Sequence, residues 1–158
     1  MSDEELAAAQ TTRLEGIVEA VIEGFGIDAS STVAEDDEGG FNVSIDGDGA
    51  GVLVEGGGEV VDAIQHVASH AVGRVEGAPR RRVSVDADGY RARREAALER
   101  LAERAAAEAI EHTEEIELDA MTPQDRRVVH MALRDREGIV TRSEGEEPKR
   151  RVIVEPAD

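Results

Sequence analysis

Apolar residues recur along this chain with two periods, which predict alternating helices and strands. From Thr11 to Phe25 and from Val60 to Ala71 they return every three or four positions, as on one face of an amphipathic helix. Thr32–Glu35 and Phe41–Ile45 flank a cluster of turn-forming residues at 36–40, and this arrangement predicts a β-hairpin. Two helices and a hairpin are therefore expected in the first half of the chain.

Three further segments complete that half. Residues 1–10 are acidic and rich in alanine, and we expect them to form a flexible start. Glycines crowd positions 47–58, directly before the second helix, and indicate a loop. Polar and apolar residues alternate at Arg81–Asp86, which predicts a third strand.

A long helix opens the second half. Tyr90–His112 contains strong helix formers and many charged pairs four residues apart, so we expect a stiff helix that connects two domains and also closes the core of the first. The elements predicted after it are a strand at Ile116–Leu118, a helix capped by Thr122 or Asp125 and ended by Gly138, and strands at Ile139–Arg142 and Arg150–Val154. The fold class is therefore α+β.

Composition excludes several classes of function. Aromatic residues make up only 2% of the chain, which argues against modules that stack bases on aromatic platforms. The absence of cysteine excludes disulfides and cysteine-based zinc sites. No apolar run is long enough to span a membrane and no signal peptide is visible, so we expect a cytoplasmic protein. No phosphate-binding lysine loop, cysteine nucleophile or serine elbow motif occurs, so we expect neither enzyme activity nor a cofactor.

The acidic charge is unevenly distributed. A net charge of −18 ordinarily argues against a nucleic-acid partner. Residues 1–72, however, carry sixteen acidic groups and one basic group, whereas residues 120–153 carry eight basic and six acidic groups. The C-terminal segment is therefore locally basic and can be considered for phosphate binding.

Arg126 and His130 are the main candidates for that chemistry. Residues four apart lie on one face of a helix, so a guanidinium and an imidazole project together. We expect an exposed pair that contacts phosphate or a base edge, with a contribution from His130 that weakens as pH rises. The supporting basic residues are Arg127, Arg142, Lys149 and Arg150. The alternative is a solvated helix with an ordinary ion pair to the adjacent Asp125.

This segment resembles an R-3-H domain, a small module that binds single-stranded nucleic acid. The preceding order of helix, two strands, glycine loop, helix and strand resembles a type II KH domain, in which helices cover a three-stranded sheet. With the helix between them, the two resemble the bacterial Jag family (KhpB or EloR proteins). The residues that carry this resemblance are Tyr90, Arg93–Glu95, Leu98, Leu101, Ala102 and Arg104 in the long helix, then Met121–Leu133, Ser143–Pro148 and Arg150–Val152.

The resemblance implies four segments and a function. The segments are a flexible acidic start (1–10), a KH-like domain (11–89), a connecting helix (90–113) and an R-3-H domain (114–158), without the Jag-N domain of many relatives. The implied function is binding of RNA or single-stranded DNA, in post-transcriptional regulation tied to cell elongation or division. A small KH-domain protein or a second copy of the chain is the implied protein partner. The alternative is an interaction adaptor with a degenerate KH domain and little RNA binding.

The glycine loop departs from the KH pattern. Where such loops read Gly-x-x-Gly, often with a basic residue inside, this chain has Glu55, Gly56, Gly57 and Gly58. KH loops clamp the sugar-phosphate backbone by close backbone approach. A carboxylate at the entrance is expected to repel phosphate, so we favour a KH scaffold kept for packing or dimerisation over one that binds RNA at this loop.

Other clusters are weaker candidates. Asp62, His66 and His70 share a helical stripe that can bind zinc or nickel, but no fourth ligand is visible, and we expect no metal. Asp46–Gly49 is similar to a calcium loop but lacks the glutamate at its twelfth position, so a turn is expected. Arg80–Arg82 either extends a nucleic-acid surface or solvates a strand end.

Overall fold

The chain folds as two units, Met1–Arg91 and Ala92–Asp158, in a computed structural model that describes all 158 residues. The first unit contains helix α1 (Asp3–Phe25), strands β1 (Ser30–Glu35) and β2 (Phe41–Asp46), a 3₁₀ segment (Ala50–Gly57), helix α2 (Glu59–Val72) and strand β3 (Val83–Ala87). Its sheet has the order β1-β2-β3, with β1 antiparallel and β3 parallel to β2. The predicted hairpin pairs Val33 with Val43 in register.

The first core lies between that sheet and the two helices. Alternate residues of β2 are buried, starting with Phe41, and β3 alternates in the same way. Leu14 and Val18 of α1 pack against this face with Val61 of α2. The helical and strand periods read from the sequence therefore define the two sides of one core.

Helix α1 begins at Asp3, whereas the sequence pattern predicted a flexible start up to residue 10. The Ser2 Oγ accepts a hydrogen bond from the Glu5 backbone N–H at 3.2 Å, and the Glu5 carboxylate accepts one from the Ser2 N–H at 2.7 Å. This capping box satisfies two amides of the first turn. Gln10 is fully buried and its amide nitrogen donates to the Pro79 carbonyl at 3.0 Å. The first ten residues are therefore mostly part of a capped helix that packs on its own unit.

The second unit consists of helix α3 (Tyr90–His112), whose first two residues precede the boundary, strand β4 (Ile116–Glu117), helix α4 (Pro123–Leu133), and strands β5 (Ile139–Glu144) and β6 (Arg151–Pro156). Its sheet is antiparallel with the order β4-β6-β5. The buried apolar residues come from α3, α4 and the strands; they are Leu98, Ala102, Ala105, Ala106, Ala109, Leu118, Val129, Leu133, Ile139, Val152 and Val154.

Helix α3 was expected to connect the two domains and to close the core of the first, but its buried residues, from Leu98 onward, belong to the core of the second unit. Four of its five buried residues are alanines, whose small side chains allow close approach of the helix to the rest of the core. Its exposed face carries the charged residues. None of the helices in the structure has both the length and the apolar character needed to cross a membrane.

Candidate nucleic-acid interface

An open cavity of about 710 Å³ lies in the second unit, between helix α4 and the turn that joins β5 to β6. The helix starts at Pro123, and the side chain of Thr122 caps it by accepting the Asp125 N–H at 3.2 Å. Of the two capping residues considered from the sequence, Thr122 fills the position. The cavity is lined by Pro123, Gln124, Arg126, Arg127, His130, Met131, Ser143 and Arg150. Four of the six basic candidates thus meet at one surface.

Arg126 is buried, in contrast to the exposed side chain that the sequence led us to expect. It is only 8% exposed, and its Nη1 donates to the Met121 carbonyl at 2.7 Å. Its Nη2 forms an ion pair with Glu147 of the β5–β6 turn. Asp125, the partner considered from the sequence, instead accepts from Arg94 at 2.9 Å. Arg126 therefore reaches the cavity as a fixed guanidinium whose charge is partly compensated by Glu147.

His130 lies between two hydroxyl groups of β5. Hydrogen bonds link its Nδ1 to the Thr141 Oγ1 at 2.7 Å and its Nε2 to the Ser143 Oγ at 2.8 Å. Burial, and secondarily the positive charge of Arg126, hold the pKa of His130 below its ordinary value. The imidazole is therefore mainly neutral at pH 7, and one ring nitrogen donates while the other accepts. This arrangement suits orientation of the Ser143 hydroxyl better than direct charge pairing with phosphate.

The remaining cations of the cavity differ in how they are held. Arg150 donates from Nη1 to the Gly145 carbonyl at 2.7 Å, so it also braces the β5–β6 turn. Arg127 is exposed and makes no hydrogen bond or ion pair with its side chain. Lys149 is equally exposed, but it lies beside the cavity in the turn and does not line it. Arg127 therefore offers the guanidinium most available to a ligand.

Arg142 lies away from this cavity. Successive side chains of a strand point to opposite faces of a sheet. Because Thr141 and Ser143 face His130, Arg142 faces the other way, where it pairs with Glu115 at 3.0 Å and with Glu144 at 2.7 Å. The hydrogen bond with Glu144, together with the nearby carboxylates, raises the pKa of Arg142. The structure thus separates Arg142 from the surface that it was expected to support.

Sequence reasoning did not identify Thr141, Ser143 or Glu147 as site residues. Thr141 and Ser143 are two apart and share a face of β5, but the sequence pattern predicted that this strand ends at Arg142, whereas it continues to Glu144. Nothing in the local sequence indicated that Glu147 pairs with Arg126, since 21 positions separate them. That contact depends on the path of the β5–β6 turn.

The glycine loop lies in the first unit and has no basic side chain. Glu55 is extended, and Gly56, Gly57 and Gly58 all have positive φ, between 66° and 82°. A Cβ on Gly58 would lie 2.5 Å from Cε1 of the Tyr90 ring, so this position needs glycine for space as well as for conformation. Helix α2 then begins with acidic groups in its first turn. Of these carboxylates, Asp62 is offset by Arg91, whereas neither Glu55 nor Glu59 has a cationic partner.

The other clusters show ordinary structural contacts. Asp62 forms an ion pair with Arg91 at 3.0 Å, and the rings of His66 and His70 lie 4.6 Å apart. No group of three histidine, aspartate or glutamate side chains is arranged to hold a metal ion. In the segment similar to a calcium loop, the Gly49 N–H donates to the Asp28 carbonyl at 3.0 Å, as part of a turn.

Comparisons with known proteins concern the domain that contains this cavity. Residues 96–156 match the family model of the R-3-H domain. The chain is 37% identical over 114 residues to an RNA-binding protein KhpB of Clostridium symbiosum, a match that covers 72% of this chain and 51% of that protein. It is 36% identical over 104 residues to an RNA-binding protein KhpB of Lactiplantibacillus plantarum, covering 66% and 32% respectively. The chain therefore spans about half and about a third of these relatives. These matches identify an R-3-H domain at residues 96–156 in a chain that is homologous to KhpB proteins.

Proposed function

We propose that this protein binds single-stranded RNA, without catalysis, through the cavity between α4 and the β5–β6 turn. The observation that carries the proposal is the convergence of Arg126, Arg127 and Arg150 on one open surface beside an oriented serine hydroxyl. Guanidinium groups bind phosphate oxygens with two parallel hydrogen bonds, and a hydroxyl adds a further contact. The names of the two relatives support RNA as the ligand, and single-stranded DNA is the chemically similar alternative.

Charge in the cavity favours a polyanion although the whole chain is acidic. Three guanidinium groups line it, and only that of Arg126 is paired with a carboxylate, the half-exposed Glu147. Interactions between exposed charges are screened beyond about 8 Å at physiological ionic strength. Charges that lie farther than this from the cavity therefore weaken the attraction for phosphate less than the net charge of the chain suggests.

The four groups have different roles in the proposed complex. Arg127 supplies a free cation, whereas Arg126 and Arg150 are fixed by backbone carbonyls and define the shape of the surface. His130 acts through Ser143, which it positions, and does not itself need to be charged. Lys149 is close enough along the chain to add attraction at the rim. Contacts of this kind read the sugar-phosphate backbone and so tolerate many sequences.

The wider role is proposed from the resemblance described above. We propose that residues 11–89 form a type II KH-like domain whose glycine loop contributes little to RNA binding. We further propose a cytoplasmic post-transcriptional regulator linked to cell elongation or division, which pairs with a small KH-domain protein or with a second copy of itself. The glycine loop has no basic residue of its own, and Glu55 and Glu59 have no cationic partner, which supports the cavity of the second unit as the main contact with RNA.

Arg127→Gln tests the site because this side chain has no structural partner. Fluorescence anisotropy with a labelled single-stranded oligoribonucleotide should show weaker binding, by about threefold to tenfold at low salt. The slope of log K against log salt should become less steep by about 0.7, the value for one phosphate contact on a single strand. Arg134→Gln is the matched control, since Arg134 follows the same helix and lies outside the cavity.

Two outcomes would contradict the proposal. Equal losses in the Arg127→Gln and Arg134→Gln variants would show that only the overall charge matters. Wild-type protein that fails to bind RNA at low salt would instead favour the interaction adaptor, in which the acidic first unit engages a basic protein.

A further inference from the structure

A second cationic cavity lies in the first unit, at the end of α2 remote from the glycine loop. It has a volume of about 390 Å³ and is lined by Ser69, His70, Gly73, Arg74, Arg80 and Arg81. The first unit has six arginines against nineteen acidic residues, and three of the six line this one cavity. Such clustering on an otherwise acidic unit indicates a local site for an anion.

The three arginines are held in two ways. Arg81 is fixed, because it pairs with Glu35 at 2.9 Å and its guanidinium carbon lies 5.3 Å from the centre of the Phe41 ring. Arg74 and Arg80 are exposed, and their side chains make no hydrogen bond or ion pair. The cavity is therefore lined by one fixed guanidinium group and by two that are exposed and unpaired.

The backbone at this place does not account for the cluster. Helix α2 ends here, with the Gly73 N–H donating to the Ser69 carbonyl at 3.3 Å, so its last carbonyls contribute about half a negative charge. That partial charge favours one nearby cation, but the two guanidinium groups that lack an acidic partner, Arg74 and Arg80, exceed it several-fold. With Glu35 engaged by Arg81, the excess positive charge remains available to a ligand.

We propose that this cavity is a second phosphate-binding site, which takes backbone phosphates of an RNA strand. The proposal rests on the RNA-binding function proposed above. It moves the RNA contact of the first unit from the glycine loop to the end of α2 and the loop that leads to β3. Ser69 adds a hydroxyl donor, and the separate guanidinium groups offer more hydrogen-bond donors than one small carboxylate can accept from.

The test compares two double variants of the full chain. Arg74→Gln with Arg80→Gln removes the two free cations of the cavity. The matched control, Arg100→Gln with Arg104→Gln, removes two exposed and unpaired arginines of α3 and changes the net charge equally. The cavity variant should lower affinity for a labelled single-stranded oligoribonucleotide about tenfold at low salt and reduce the salt slope by about 1.4, the value for two lost contacts. The control should change both values less, and urea unfolding should be unchanged in the cavity variant.

Backbone amide shifts in a ¹⁵N NMR titration separate failure of this inference from failure of the proposed function. If wild-type protein binds RNA but the cavity variant binds as tightly as the control, the second site is overturned and the cavity of the second unit still stands. If wild-type protein does not bind RNA, the proposed function fails. A titration with inorganic pyrophosphate then tests whether the cavity binds phosphate groups at all. Amide shifts at Ser69, Gly73 and Arg80 with pyrophosphate would show that the cavity binds phosphate groups of a smaller ligand. If no shifts occur, the inferred phosphate site is rejected together with the proposed function.

Discussion

Glu147→Gln should weaken the fold of the second unit while it strengthens RNA binding. The change leaves the guanidinium of Arg126, which is 8% exposed, without its compensating charge. Breaking a fully buried ion pair costs about 3–5 kcal/mol, whereas an exposed pair contributes about 0–1 kcal/mol. Because Glu147 is half exposed and the amide oxygen of glutamine can still accept a hydrogen bond, we expect a loss of about 1–2 kcal/mol.

The opposite effect on binding follows from the same contact. In the free protein Glu147 occupies the donors of Arg126 that a phosphate needs, so phosphate must displace it or tolerate its charge. Removal of one charge from a partly exposed site changes the binding energy of an anion by about 1 kcal/mol, which corresponds to about fivefold in affinity. Few substitutions that remove a stabilising contact also improve binding. Lower stability together with tighter RNA binding would therefore indicate that Glu147 competes with phosphate for Arg126.

The assays are thermal unfolding followed by circular dichroism and anisotropy with a labelled oligoribonucleotide. For a unit of this size, the expected loss lowers Tm by roughly 4–16 °C. Glu146→Gln is the control, since it removes the same charge at an exposed residue that makes no ion pair. If Glu147→Gln loses stability but binds RNA no more tightly than Glu146→Gln, Glu147 has a structural role only. If stability does not change, the buried pair contributes nothing in solution, and the reasoning about Arg126 is wrong.

Two other consequences can be measured directly. In a proton NMR titration, His130 should titrate below its ordinary pKa of about 6.5. Because folding lowers this pKa, the neutral imidazole stabilises the folded protein fully above pH 6.5. This stabilisation is lost as the pH falls through the pKa of His130 in the folded protein. Urea unfolding at pH 7 and pH 5.5 should therefore show a smaller change for His130→Gln than for the wild type, and an equal change would contradict the assignment. Gly58→Ala should destabilise the first unit by more than the cost of positive φ alone, about 1 kcal/mol, because its Cβ meets the Tyr90 ring. Gly56→Ala, with similar φ and open space around it, should cost only that amount, and equal losses would show that the tyrosine moves aside.

The amino-acid sequence by itself determined the order and type of the elements. Period-2 and period-3.6 patterns depend only on which face of a strand or helix is covered, so the hairpin, α2 and the helix bearing Arg126 and His130 were predictable. The start of α1 was also predictable, because Ser2 and Glu5 have the spacing of a capping box. The acidic, alanine-rich composition of this segment suggested a flexible start instead. The matched R-3-H domain lies where the Arg-x-x-x-His pattern pointed.

Only the tertiary structure decided the chemical state of the site. Burial of Arg126 requires the turn that brings Glu147 to it. The lowered pKa of His130 requires burial of its ring, and the nearby charge of Arg126 adds to it. Arg74, Arg80 and Arg81 come together only because the loop after α2 returns to the sheet beside the end of that helix. Local patterns follow from neighbours three or four residues away. Burial, pKa and charge compensation follow from groups brought close by folding, and no short window of the sequence contains them.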